Sequence, residues 1–378
     1  MWRLSRVQLL DNNTQAFLAL VKAGLWEKEV RLSEFKNVDY NEVYRLAEEQ
    51  SVVGLVAAGL EHIVDVKPTK EIALQFAGQT LQLEQHNQAM NFFVAKLIDK
   101  MRYAGIYTIL VKGQGVAQCY EKPLWRSCGD VDLFLSDSNY ERAKELLIPL
   151  ASFVEPEGEY KKHLGLTIKS WIVELHGSLR CGLSAKMDKG IDEIQNAVFY
   201  GGDVRSWMNG NTQVFLPGAD SDVLFIFTHF LKHFYTGGLG LRQICDWTRL
   251  LWTYKDSLNR ELLESRLRKV GLMTEWKAFG AFAVDYLGMP AEAIPLYSST
   301  RKWKRKAKRI CKFVMEVGNM GHNRDRSHFG KPYLMRKIYS FGRRCGDLMR
   351  HARIFPLDSL RFFPSIMIQG VKSAVNGE

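Results

Sequence analysis

Residues Ile106–Leu135, IYTILVKGQGVAQCYEKPLWRSCGDVDLFL, decide the reading of this 378-residue chain. Ile106 to Val111 is largely apolar and β-branched, which predicts a strand. Lys112-Gly113-Gln114-Gly115 then breaks it with a turn into a short helix. In the next predicted strand Val131, Leu133 and Leu135 alternate with Asp130, Asp132 and Phe134, so both carboxylates project from one face. Carboxylates roughly 7 Å apart along a strand face repel each other unless a cation sits between them. Oxygen-only ligands suit Mg²⁺, which keeps several waters and completes its shell from substrate phosphates. The glycine turn offers backbone N–H groups that can approach a phosphate closely. One half of the stretch thus suits phosphate and the other suits metal.

Further on, LGLTIKSWIVELHGSL predicts strands Leu164–Ile168 and Trp171–His176 around a tight turn at Lys169-Ser170, with Ile172, Glu174 and His176 sharing one face. Spacing does not say which strands are neighbours. A glycine turn after a strand, followed by Asp-x-Asp on the next strand, resembles the DNA polymerase β-like nucleotidyltransferase superfamily. Lys112-Gly113, Arg126-Ser127-Cys128-Gly129-Asp130-Val131-Asp132-Leu133 and Glu174-Leu175-His176 are similar, more narrowly, to a bacterial family of uncharacterised nucleotidyltransferases in that superfamily. Gln114 departs from the Ser or Gly that usually follows the turn glycine.

The resemblance implies an α+β fold, a small mixed-sheet polymerase β-like core flanked by N-terminal and C-terminal helical regions. It also implies that Glu174 lies beside Asp130 and Asp132, the three forming a catalytic site for Mg²⁺ or Mn²⁺. On that reading a nucleoside monophosphate moves from an NTP to an acceptor with release of pyrophosphate, and Lys112, Gly113, Gln114 and Arg126 bind the nucleotide. The acceptor, whether a small molecule, peptide, protein or RNA, is not written in the sequence. Two alternatives stand beside this one. The chain is a catalytically silent binding or assembly protein of the same fold, or an RNA-binding protein acting on tRNA.

Around this centre, residues 1–95 carry apolar residues at three- and four-residue spacing and predict a helical domain, with helix starts near Asn41 and Thr69. Residues 96–218 hold the α/β core, including a helix over Ser138–Leu150, and residues 219–378 predict a second helical region. Within the latter, His229 and His233 lie at i and i+4 on one helix face. They suit pocket hydrogen bonding better than a metal site without a third ligand. Arg242 and Asp246 either line the cleft or pair with each other on their own helix.

The net charge of +11 is uneven, since residues 301–353 hold seventeen Lys or Arg against three Asp or Glu and the remainder is slightly acidic. RKWKRKAKRICKFVMEV reads as an amphipathic basic helix, suited to an anionic surface or to a solvated helix face. Apolar content of 46% and charge of 25% exclude a disordered chain. No apolar run is long enough to span a bilayer, MWRLSRVQLLDNN lacks the core of a secretory signal, and the six scattered cysteines form no metal-spaced pair. The expectation is a cytoplasmic protein with reduced thiols.

Overall fold

The computed structural model describes residues 10–157, 162–324, 330 and 332–375. Residues 1–9 of the N-terminal segment, and 325–329 and 331 of the basic segment, lie outside the described residues. A five-stranded mixed sheet is built from β1 (Ile109–Val111), β2 (Asp130–Phe134), β3 (Phe153–Val154), β4 (His163–Ile168) and β5 (Trp171–His176), in the order β1-β2-β5-β4-β3. β2 and β5 run parallel with Asp132 opposite Glu174, and the other neighbours are antiparallel. The β4–β5 hairpin turns at Lys169-Ser170, with Lys169 at φ +58°.

The helices before the sheet are α1 (Asn12–Trp26), α2 (Tyr40–Glu49), α3 (Val53–Glu61) and the 34-residue α4 (Lys70–Tyr103). Thr69 caps α4 as expected, but α2 begins at Tyr40. Asp39, not Asn41, is its N-cap, because the Asp39 carboxylate accepts from the N–H groups of Asn41 and Glu42. β1 is shorter than the predicted strand because Ile106 is used to close α4. Its N–H donates to Met101 O across Gly105 at φ +68°.

After β1 come α5 (Gly113–Ala117) and, beyond β2, α6 (Asp137–Leu147), which has Ser136 as its N-cap residue and gives way to a 3₁₀ turn containing Pro149. The helix α7 (Ala185–Tyr200) and the hairpin of β6 (Val204–Asn209) and β7 (Thr212–Pro217) lead to α8 (Ala219–Thr236) and α9 (Leu241–Thr253). Then follow α10 (Arg260–Val270), α11 (Met273–Leu287), α12 (Arg301–Val317), α13 (Tyr333–Ala352) and α14 (Pro356–Val375).

Strand alternation divides the interior into two cores. Val131, Leu133, Val173, Leu175, Leu164 and Leu166 face one way and pack with Met90, Phe93, Val94 and Leu97 of α4 and Tyr140, Ala143 and Leu147 of α6. The second core joins Phe17 and Val21 of α1 to Trp247 of α9, Phe279 of α11 and Ile310 of α12, so helices from both ends of the chain share it. Helix α4 runs unbroken past residue 95 and contributes to both, Phe76 in one and Met90 to Met101 in the other. This is the α+β architecture the resemblance implied, a mixed sheet with helical flanks. The six cysteines are free and five are buried. No helix among the described residues is long and apolar enough to cross a membrane.

Candidate active site

The opposite face of the sheet carries a cluster of ionisable side chains. Asp130 and Asp132 project from β2, Glu174 and His176 from β5, and His163 from β4, where it lies across from His176. Parallel pairing puts Asp132 beside Glu174, and oxygens of Asp130, Asp132 and Glu174 all lie within 4.8 Å of one another. Asp132 is buried and reaches the site only at its edge, while Asp130 and Glu174 keep an open side.

Lys112 sits at φ +58° and Gly113 at φ +39°, and a Cβ on Gly113 would stand 3.3 Å from Cys128 Sγ. This left-handed pair ends β1 and requires glycine at its second position. Lys112 Nζ donates to Asp132 Oδ1 at 2.6 Å, and His176 Nε2 meets the same oxygen at 2.7 Å. His163 Nε2 and His176 Nε2 lie 3.1 and 3.3 Å from Glu174 Oε2.

These contacts set the charge states. Burial pushes the Asp132 carboxyl up, but the Lys112 ammonium and His176 outweigh it and hold Asp132 below the usual carboxylate range. Glu174 is likewise raised by burial, yet hydrogen bonds from His163 and His176 and the charge of Lys112 bring it far down. Asp130 goes the other way, raised by burial and by the neighbouring Asp132 charge. Lys112 is penalised by burial, but Asp132 and Glu174 keep it firmly charged.

The loop before β2 is held from several sides. Arg126 is buried and donates from Nε and Nη2 to the two Asp246 oxygens at 2.8 and 2.7 Å, and Tyr120 Oη donates to Asp246 Oδ1 at 2.8 Å. The Arg242–Asp246 pair that helix spacing allowed is therefore not formed among the described residues. Asp246 faces Arg126 instead, and Arg242 Nη1 donates to Ser127 O at 2.8 Å. The Gln114 side chain is also buried and donates to Asn87 Oδ1 at 2.8 Å, and Asn87 in turn donates to Arg126 O at 2.8 Å. The backbone N–H groups of Gly113 and Gln114 lie in the first turn of α5, where no intrahelical acceptor exists.

Above the carboxylates lies a cavity of about 620 Å³, walled by Lys112, Asp130, Glu174 and Arg242 and by His229 and His233 of α8. That volume suits a nucleotide-sized ligand. His229 and His233 meet Nε2 to Nε2 at 3.1 Å. Burial, with Lys112 and Lys232 nearby, keeps both neutral, His233 pushed down to about 3. His163, Asn87 and Tyr120 were not singled out from sequence. For His163 a signal existed, because a two-residue turn at 169–170 sets 168 opposite 171 and therefore 163 opposite 176.

A mixed sheet with three convergent carboxylates, a glycine turn and a nucleotide-sized cavity is the arrangement of a nucleotidyltransferase domain. The family described as uncharacterised nucleotidyltransferases matches residues 36–288, and the chain belongs to it. No curated protein and no solved structure matches the chain.

Proposed function

We propose that the protein transfers a nucleoside monophosphate from an NTP to an acceptor bound in the cavity beneath α8. The observation that carries this reading is the convergence of Asp130, Asp132 and Glu174 at one open cavity. Their donor set, carboxylate oxygen throughout, fits Mg²⁺ or Mn²⁺ and these three residues would hold it. The bound ion supplies neutralisation of the triphosphate and of the departing pyrophosphate. Its companion from the chain is Lys112, an ammonium beside Asp132. Gly113 and Gln114 offer backbone N–H groups to phosphate oxygens, and Arg242 adds a cation to the same wall. Arg126 and the Gln114 side chain have a supporting part in this reading, since their bonds to Asp246 and Asn87 hold the loop that carries Asp130.

In the reaction the acceptor oxygen bonds to the α-phosphorus as the bond to pyrophosphate breaks, and the acceptor proton passes to a base. Glu174, held ionised by two imidazoles, suits ligand duty better than proton uptake. His229 and His233 line the cavity as neutral imidazoles, but the burial and the nearby ammonium groups that keep them neutral also oppose proton uptake, so their part is hydrogen bonding to the bound molecule. Incubation with each α-labelled NTP, Mg²⁺ or Mn²⁺ and a cell extract should give label transfer that disappears in Asp130→Asn. Equal labelling by both proteins would remove the carboxylates from the chemistry. If ATP with Mg²⁺ leaves the wild-type melting temperature unmoved, the silent binding or assembly protein becomes the better reading. We assign the basic segment 301–353 to contact with an anionic surface. The exposed cations Arg301, Lys302, Lys304, Arg305 and Arg309 on α12 support that assignment.

A further inference from the structure

We infer that the sheet face carries a second cation site, formed by His163, Glu174 and His176 and suited to a borderline divalent transition ion such as Zn²⁺ or Co²⁺. It shares Glu174 with the carboxylate triad but does not depend on nucleotidyl transfer. The three donors come from one hairpin. His163 of β4 lies across from His176 of β5, and Glu174 lies two residues before His176 on the same face. Their ligand atoms lie within 4.8 Å of one another, and the imidazole nitrogens stand 3.1 and 3.3 Å from Glu174 Oε2. Ligand atoms at about 2.0–2.2 Å from a tetrahedral ion are roughly 3.4 Å apart, so the two separations to Glu174 Oε2 are close to the edges of such a shell. The two rings lie with centroids 4.8 Å apart, with His163 Nε2 facing Glu174 Oε2 and His176 Nε2 shared between Glu174 Oε2 and Asp132 Oδ1.

Ligand chemistry separates this cluster from its neighbour. Three carboxylates favour a hard ion with several waters, whereas two imidazoles and one carboxylate favour a softer, borderline ion. A carboxylate has two oxygens, so Glu174 can serve the imidazole side through Oε2 and the aspartate side through Oε1, as a bridge between two ions. Three protein ligands leave a fourth position, and all three residues line the 620 Å³ cavity. That is the layout of a site meant to receive water or substrate, not of a closed structural one. Placement on paired strands fixes the donors without help from a loop. In the absence of an ion the imidazoles donate to Glu174 and Asp132, which satisfies the same groups by hydrogen bonding.

Cobalt titration of the full chain in excess Mg²⁺ tests the site without reference to activity. The wild type should take up one Co²⁺ with the intense visible bands of a low-coordinate ion bearing imidazole ligands. His163→Gln keeps a hydrogen-bond donor for Glu174 but removes the imidazole, and it should weaken uptake at least tenfold. His229→Ala, which alters the other histidine pair in the cavity, should leave the bands in place. Asp130→Asn should retain them too while losing label transfer, so the two readings stand or fall separately. A pale octahedral spectrum, uptake unchanged in His163→Gln, or loss of the bands in His229→Ala would overturn the assignment.

Discussion

Asp132 and Asp130 differ by two residues on one strand and by opposite electrostatic situations. Asp132 is ionised at no net cost because Lys112 and His176 both face its Oδ1. Asp130 is ionised against burial and against the charge of Asp132. A carboxyl whose folded pKa is raised destabilises the fold once pH exceeds its unfolded value. Asp130→Asn should therefore melt at a higher temperature than the wild type at neutral pH without metal, and added Mg²⁺ should raise the melting temperature of the wild type but not of the variant. Differential scanning fluorimetry with and without Mg²⁺ reads both effects, and a lower melting point without metal would contradict the charge argument. Asp246→Ala should act in the other direction. It leaves the buried Arg126 guanidinium without its carboxylate, and breaking such a pair costs about 3–5 kcal/mol. Urea denaturation measures the loss, and a change below about 1 kcal/mol would mean that water replaces Asp246 freely.

Among the elements, those built from local pattern were the legible ones. The alternation of β2 put Asp130 and Asp132 on one face, and the turn at Lys169-Ser170 gave both strands of the β4–β5 hairpin. Gly237 and Gly240 flank the short break between α8 and α9, a local punctuation of the same kind. The β6–β7 hairpin has a local signal too, in Gly210-Asn211 between alternating segments. The bond of Arg126 to Asp246, across 120 residues, had no local signal, since nothing in spacing says that α9 will lie beside the loop before β2. The Glu174 neighbourhood was legible only through family resemblance, because strand order is a long-range outcome. Helix α11 also hides a charge problem that its periodicity could not reveal. Glu275 is fully buried, accepts from Tyr235 Oη at 3.1 Å, and is pushed up to about 8 by burial and by Asp358. Its folded pKa lies above the unfolded value near 4.5, so the folded state holds a proton that the unfolded chain releases. Stability should then fall as pH rises from about 4.5 towards 8, by on the order of a few kcal/mol. Glu275→Gln should flatten that slope and be the more stable protein at pH near 8, as judged by chemical denaturation across the range. An unchanged slope would place the pH dependence elsewhere.

At the scale of the whole molecule, the excess positive charge lies in a region that also leaves apolar side chains uncovered. Helix α12 buries Ile310, Phe313, Val314 and Val317 in the main core, so its basic face alone meets solvent. The following pair is different. α14 turns Phe362 inward but exposes Leu357, Leu360, Ile368 and Val371, each by more than half, and this stripe recurs at helical spacing around Pro364. On α13, Met335, Ile338 and Met349 are also exposed, with Arg336, Arg343 and Arg350 among them. Apolar side chains among cations with few acids suit an anionic lipid surface, where each basic residue contributes about 1 kcal/mol and the apolar stripe enters the headgroup region. A protein partner would be expected to bring carboxylates to this face, and RNA would use the cations but leave the stripe in water. The full chain should therefore sediment with vesicles containing phosphatidylglycerol at low salt and stay in solution with purely zwitterionic ones. Leu360→Glu combined with Ile368→Glu should reduce that binding at least tenfold without altering the thermal transition, since both positions are exposed. Retention on RNA that is salt-sensitive but indifferent to the double substitution, with no vesicle binding, would assign the segment to nucleic acid. Self-association abolished by the same substitutions would assign the stripe to a second copy of the chain.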